Sequence, residues 1–214
     1  MTLTPTSPAP AVINRTRSRI QFLLLAALFF APFVLAYSAY WLFPNWSPQG
    51  KVNYGQLMSP APATPVLALR DAAGQPLASD ALRGKWTLVQ LVKGECEEAC
   101  RRELVLTRQV HAALGVKRER VQRLLIAADG VDPAALKSRY AAEQPDLLWL
   151  QDANGSSTAA GFFASAPEHS VMLIDPLGAW VMLYPHATDE EAVKRDFKGM
   201  QKDINKLLKL SSIG

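Results

Sequence analysis

The hydrophobic pattern divides the chain into three parts: a polar start, one long apolar run, and a remainder of short apolar runs alternating with amphipathic segments. The apolar run, Ile20 to Phe43, is 24 residues long and carries no charge. At about 1.5 Å per residue it makes roughly 36 Å of helix, enough to cross a hydrocarbon core of about 30 Å with some tilt. Pro32 is tolerated in such a helix. Tyr37, Tyr40, Trp41 and Trp46 gather at its far end, where an interfacial aromatic belt belongs. A cleaved signal peptide has an apolar stretch of about 7–15 residues, and this run continues past the small-residue sites near Ala36 and Ala39. The pattern predicts an uncleaved transmembrane helix over 20–43 after a disordered stub over 1–19. Prolines 44, 48, 60, 62 and 65 then mark an extended tether over 44–65.

From residue 66 to 214 the periods switch in the manner of one α/β domain. Val66–Arg70 reads as a strand, followed by the turn Asp71–Gly74 and a return through Gln75–Leu77. Trp86–Val92 is a compact apolar run between Gly84 and Gly94, as in a strand buried on both faces. A helix is expected from Glu97 to about Leu114, with Leu104, Val105, Leu106, Val110 and Leu114 facing the core. Val121–Ala128 is the next buried strand. Asp132 then caps a helix that has Pro133 at its first position. A strand at Leu147–Leu150 and a hairpin of Val171–Ile174 with Trp180–Leu183 around Asp175-Pro-Leu-Gly178 follow. The segment from Asp189 to Leu210 has Val193, Phe197, Met200, Ile204, Leu207 and Leu208 at helical spacing. Strand–helix–strand–helix–strand–strand–helix, with a hairpin in front, is a thioredoxin-like layout.

Charge changes the picture only at the membrane. The net charge is +4, but Arg15, Arg17 and Arg19 all precede the apolar run, and the rest holds 20 basic against 19 acidic residues. A balanced surface gives no electrostatic reason for a nucleic-acid partner. The three arginines instead orient the helix, with the N-terminus in the cytoplasm and the domain on the outer, periplasmic side of a bacterial inner membrane.

Candidate chemistry is confined to few side chains. The chain's two cysteines, Cys96 and Cys100, follow the first buried strand and sit at the start of the next helix. Positions four apart share one helical face, so the sulfurs can converge on each other or on an ion. A helix N-terminus favours thiolate, the form that attacks disulfides and binds metal. Glu97 and Glu98 oppose that effect, and Arg101 and Arg102 partly offset them. A bridge closing so short a loop adds little stability, which argues for function over structure. Of three histidines, His111 is about 16 Å along the helix from Cys100 and reads as a surface residue, and His186 reads as a loop residue. His169 directly precedes the strand Val171–Ile174. In a thioredoxin-like sheet the loop entering that strand lies beside the cysteine-bearing helix start. Two thiolates and an imidazole suit a soft ion, Cu(I) above all.

These residues carry a resemblance. Gly84-Lys-Trp-Thr-Leu-Val-Gln-Leu-Val, Cys-x-x-x-Cys and a distant His-Ser before Val-Met-Leu-Ile-Asp-Pro-Leu-Gly resemble the Sco/SenC family of membrane-anchored, thioredoxin-fold copper chaperones. The lead-in Leu67-Ala-Leu-Arg-Asp-Ala-Ala-Gly-Gln-Pro-Leu and Leu82-Arg-Gly-Lys are similar too, so the likeness spans roughly residues 65–185. The resemblance implies copper delivery to the cytochrome c oxidase subunit with the binuclear copper site, and Cys96, Cys100 and His169 as copper ligands. Glu97 and Arg101 stand where that family usually has prolines, and Glu168 where it usually has Asp. A second reading is a tethered thiol–disulfide oxidoreductase for a respiratory-complex subunit, with Cys96 attacking and Cys100 resolving. A third is a docking protein with a structural disulfide.

Overall fold

The computed structural model describes residues 15–42, 53–78, 80–152, 158–186 and 188–211. It divides into two compact units, residues 1–50 and 51–214. The first unit is one helix, α1 (Arg15–Leu42), which continues through Pro32. Its stretch Arg19–Leu42 is long and apolar enough to cross a membrane. The helix takes in Arg15 to Arg19, expected as part of the stub, because nothing between Arg15 and Ile20 breaks a helix and arginine is a good helix former. Residues 1–14 of the stub, Phe43 of the expected helix and 44–52 of the tether lie outside the described residues.

The second unit is built on a seven-stranded sheet in the order β1-β7-β6-β3-β4-β5-β2. Its centre is β3 (Trp86–Val92), parallel to β4 (Val121–Ala127), which is parallel to β5 (Leu147–Asp152). On the other side β6 (Val171–Ile174) runs antiparallel to β3, and β7 (Trp180–Tyr184) antiparallel to β6. Two short strands complete it: β1 (Gln56–Leu57) on β7 and β2 (Leu69–Asp71) on β5. The fold is thioredoxin-like, with the turn at Asp71–Gly74 leading a hairpin in front. There Gly74 takes φ +81°, while Asp71 accepts from the amides of Ala73 and Gln75.

Alternation along the strands produces two cores. Val89, Leu124, Ile126, Met172 and Ile174 project to one face, under Phe163, Trp180 and the lead-in residues Leu67 and Leu69. Leu88, Val121, Leu173 and Met182 project to the other, under α2 (Glu98–Ala113) and α5 (Glu190–Leu210). On that second face Cys96, Cys100, Leu104 and Leu125 join Tyr140 of α3 (Pro133–Tyr140) and Trp149. Asp132 caps α3 by accepting from the Ala134 amide. A further short helix, α4 (Ala159–Phe162), is capped by Thr158. Val105 does not face the core as expected: it is 42% exposed, because Leu104, Leu106 and Val110 already fill the inward stripe of α2.

The tether is shorter than its prolines suggest, since from residue 53 onward it belongs to the domain. Met58 donates its amide to Val181 O, Thr64 to Gly178 O, and Trp180 to Pro62 O. Asp203 of α5 accepts from the amides of Tyr54 and Gly55, and the Tyr54 hydroxyl donates to Asp196. The Tyr54 ring lies against α5 where only glycine fits, because a side chain at Gly199 would collide with it. Proline spacing reads as an extended chain but does not reveal whether that chain lies free or along a sheet edge.

Candidate functional site

β3 ends at Val92, and residues 93–97 turn the chain into α2. Glu97 is its N-cap but makes no capping bond through its side chain. Cys96 and Cys100 are joined in a disulfide, with Cα atoms 5.1 Å apart. Both are buried, 6% and 2% exposed, and the Tyr140 hydroxyl donates to the Cys96 carbonyl at 3.1 Å. A cross-link closing so short a loop limits the unfolded chain by only about 2 kcal/mol. The acidic neighbours are turned outward, where Glu98 pairs with Arg101 at 3.5 Å and Arg102 at 3.3 Å, exposed contacts that contribute little.

His169 is brought to the same end of the sheet. Because β6 is antiparallel to β3 with Val171 opposite Gln90, the loop entering β6 lies beside the loop leaving β3. Gly94 and Glu95 share a cavity of about 210 Å³ with Pro167, Glu168, His169 and Ser170. His169 alone among the described non-glycine residues has positive φ, at +56°. Such backbone is uncommon outside glycine and persists where surroundings impose it. Here the Ser170 hydroxyl donates to Pro167 O at 2.7 Å and holds the turn. The His169 turn and the loop running into Cys96 thus lie at one end of the sheet, but among the described residues no three His, Cys, Asp or Glu side chains converge on one point. With the sulfurs bonded to each other, the pair offers no thiolate to an ion.

Two side chains that pattern reasoning passed over complete the region. His186 follows β7, its ring centre 5.6 Å from that of His169, and its Nδ1 lies 3.0 Å from Oε1 of Glu103. Glu103 is on α2, three residues after Cys100, and its side chain is 6% exposed. Burial pushes its carboxyl up to about 8, against a hydrogen bond from Gln90. Burial, then His169 and Arg102, hold His186 below the ordinary imidazole value, against Asp196. The contact has ion-pair spacing, yet both shifts favour uncharged partners. At neutral pH the contact is therefore a hydrogen bond between neutral groups, its direction set by the imidazole tautomer.

The polar chain continues inward. Thr107 donates to Gln90 at 3.2 Å, and Arg123 reaches Thr107, Gln144 at 2.8 Å and Asp146 at 3.0 Å. At its far end His111 is not the surface residue expected. Its side chain is 13% exposed, Nδ1 is 2.8 Å from Asp146, and Nε2 lies near the carbonyls of Arg118 and Val121. Polar residues at inward positions of α2, Glu103 and Thr107, were the signal that a buried network exists.

Residues 86–211, more than half of the chain, match the family model described as transmembrane-like, thioredoxin-like, C-terminal domain. Among solved structures, yeast Sco1 with copper bound is 22% identical with a TM-score of 0.53, covering 75% of this chain and 95% of that one. Apo Sco1 from Thermus thermophilus is 18% identical with a TM-score of 0.53, covering 74% and 96%. BsSco is 14% identical with a TM-score of 0.51, covering 75% and 99%. At these identities the likeness is one of fold, and it agrees with the resemblance carried by the sequence motifs. No curated protein matches the chain at a significant level.

Proposed function

We propose, from the premise that the chain belongs to the transmembrane-like, thioredoxin-like C-terminal domain family, that it is a membrane-anchored copper-binding assembly factor for cytochrome c oxidase. Of the proteins that share its fold, yeast Sco1 has copper bound and BsSco is a member of the Sco family of cytochrome c oxidase assembly proteins. The observation that carries the reading is the cavity that sets His169 beside the loop running into Cys96. α1 anchors the domain, and Arg15, Arg17 and Arg19 support a periplasmic domain with a cytoplasmic N-terminus on the bacterial inner membrane.

The disulfide defines the resting state. A partner dithiol attacks one sulfur, the mixed disulfide is resolved by the partner's second thiolate, and Cys96 and Cys100 leave as thiols while the partner is oxidised. The helix start then favours thiolate on the pair. Two sulfurs and the His169 imidazole make a donor set suited to Cu(I), which the cargo leaves by exchange onto ligands of the oxidase subunit.

The reduced full-length chain in detergent, loaded anaerobically with Cu(I), is expected to retain one equivalent and to lose it on His169→Ala. Failure of the fully reduced chain to retain copper would sink the reading. The Cys96–Cys100 bridge itself favours the second reading, a thiol–disulfide oxidoreductase acting on a respiratory-complex subunit. That reading predicts a mixed disulfide trapped by Cys100→Ser and indifference to His169→Ala.

A further inference from the structure

We propose that His169 and His186 form a two-imidazole metal site that takes Cu(II) while Cys96 and Cys100 are still bridged. The inference rests on the copper reading only for the identity of the ion. Its geometry stands separately, on residues that do not include the cysteines.

The two rings are at the right distance. A metal–nitrogen bond is about 2.0–2.1 Å, and a ring nitrogen is roughly 1.1 Å from its ring centre. In the square-planar or tetragonal geometry of Cu(II), two imidazoles on one ion therefore have centres between about 4.5 Å (cis) and about 6.3 Å (trans) apart. Those of His169 and His186 are 5.6 Å apart, with planes inclined by 56°. Both rings are partly exposed, so an ion and a partner reach them.

The supporting contacts are those of a ligand pair. His186 uses only Nδ1 within the protein among the described residues, and its partner is the buried carboxyl group of Glu103. A carboxyl group hydrogen-bonded to one ring nitrogen holds the ring and turns the other nitrogen toward the metal. When Nε2 takes the ion, Nδ1 carries the ring proton and donates it in a hydrogen bond to a Glu103 carboxyl oxygen. His169 is held by its own backbone, in the left-handed conformation that Ser170 and Pro167 stabilise.

Imidazole sites favour Cu(II) over the other first-row divalent ions. Because no third donor converges on the pair among the described residues, a bound ion keeps positions for water or for the ligands of a donor or acceptor protein. The same His169 then serves the bridged protein with His186 and the reduced protein with Cys96 and Cys100.

The test uses the oxidised full-length chain in detergent, its bridge verified by the absence of titratable thiol, titrated with Cu(II) against a competing chelator. One equivalent is expected, with electron paramagnetic resonance couplings from two imidazole nitrogens. The chain has three histidines, so two on one ion, insensitive to His111→Gln, identify the pair. His186→Gln and His169→Gln should each weaken binding at least tenfold, and Glu103→Gln about tenfold. Coupling to a single nitrogen in the unaltered chain, or affinity unchanged by His186→Gln, overturns the proposal without reference to whether any variant folds. If the oxidised chain binds no Cu(II) while the reduced chain retains Cu(I), this inference fails and the proposed function stands. The reverse pattern supports this site and removes the thiolate one.

Discussion

Helix α2 carries a histidine–carboxylate contact near each end, and the two contacts behave in opposite ways. At the C-terminal end, burial pushes the Asp146 carboxyl up, but the Arg123 guanidinium, helped by His111, more than offsets it and holds it below the usual range. Asp146 is thus an anion between a cation and an imidazole. At the N-terminal end Glu103 has no guanidinium paired with it among the described residues, so desolvation prevails and it keeps its proton. The residue types match and the distances differ by little, 2.8 Å and 3.0 Å. One neighbouring charge decides the state of each pair. His111 has both ring nitrogens committed to the protein, whereas His186 has one, and that difference separates a structural histidine from one available to a ligand.

The comparison breaks most easily at Asp146. Asp146→Ala leaves Arg123, whose side chain is 1% exposed, with neutral partners alone, and should cost about 3 kcal/mol in denaturant unfolding. A loss under about 1 kcal/mol would mean that Gln144, Thr107 and the Leu104 carbonyl suffice.

Next in size is pH. The folded Glu103 carboxyl lies at about 8, above its ordinary 4.5, so its contribution is complete below 4.5 and is lost as pH rises through 8. His186 is shifted down, so its own effect is confined to the acid side of its ordinary 6.5. Between about pH 7 and 8.5 the unfolding free energy of the metal-free chain should therefore fall by up to about 1.4 kcal/mol per pH unit. Glu103→Gln should flatten that slope, and a flat profile in the unaltered chain would remove the contrast between the two pairs.

The smallest expected effect separates the histidines. His111→Gln should lower stability by about 1–2 kcal/mol through its lost carboxylate and carbonyl contacts, and His186→Gln by less than about 0.5 kcal/mol. Thermal melts of the two variants side by side check this. Equal losses would make His186 as structural as His111.

The elements were legible because the central strands are buried on both faces and the helices carry wide apolar stripes: β3 falls at Trp86–Val92 and α5 follows Asp189, as the pattern predicts. The nearness of His169 to the cysteine loop followed from the order of the elements alone. What escaped is set by tertiary pairing. The φ of His169 has no local signature, since neither neighbour is a glycine that would betray the turn. His186 and Glu103 are 83 residues apart, and a histidine in a loop looks solvated until the facing helix is known. Residues 53–65 look like spacer in the sequence because hydrogen bonds along a strand edge leave no hydrophobic period.

Those same residues have a consequence for how the protein avoids its own kind. β7, Trp-Val-Met-Leu-Tyr, is a wholly apolar strand, and without β1 it would present bare amides and carbonyls to any extended chain nearby. Two residues of β1 and three of β2 leave little to copy at either margin of the sheet. A fragment cut at residue 66, where the apolar alternation begins, would keep every helix of the domain and strip this guard. One cut at residue 53 or earlier would retain it, and the first would be the aggregating molecule of the two.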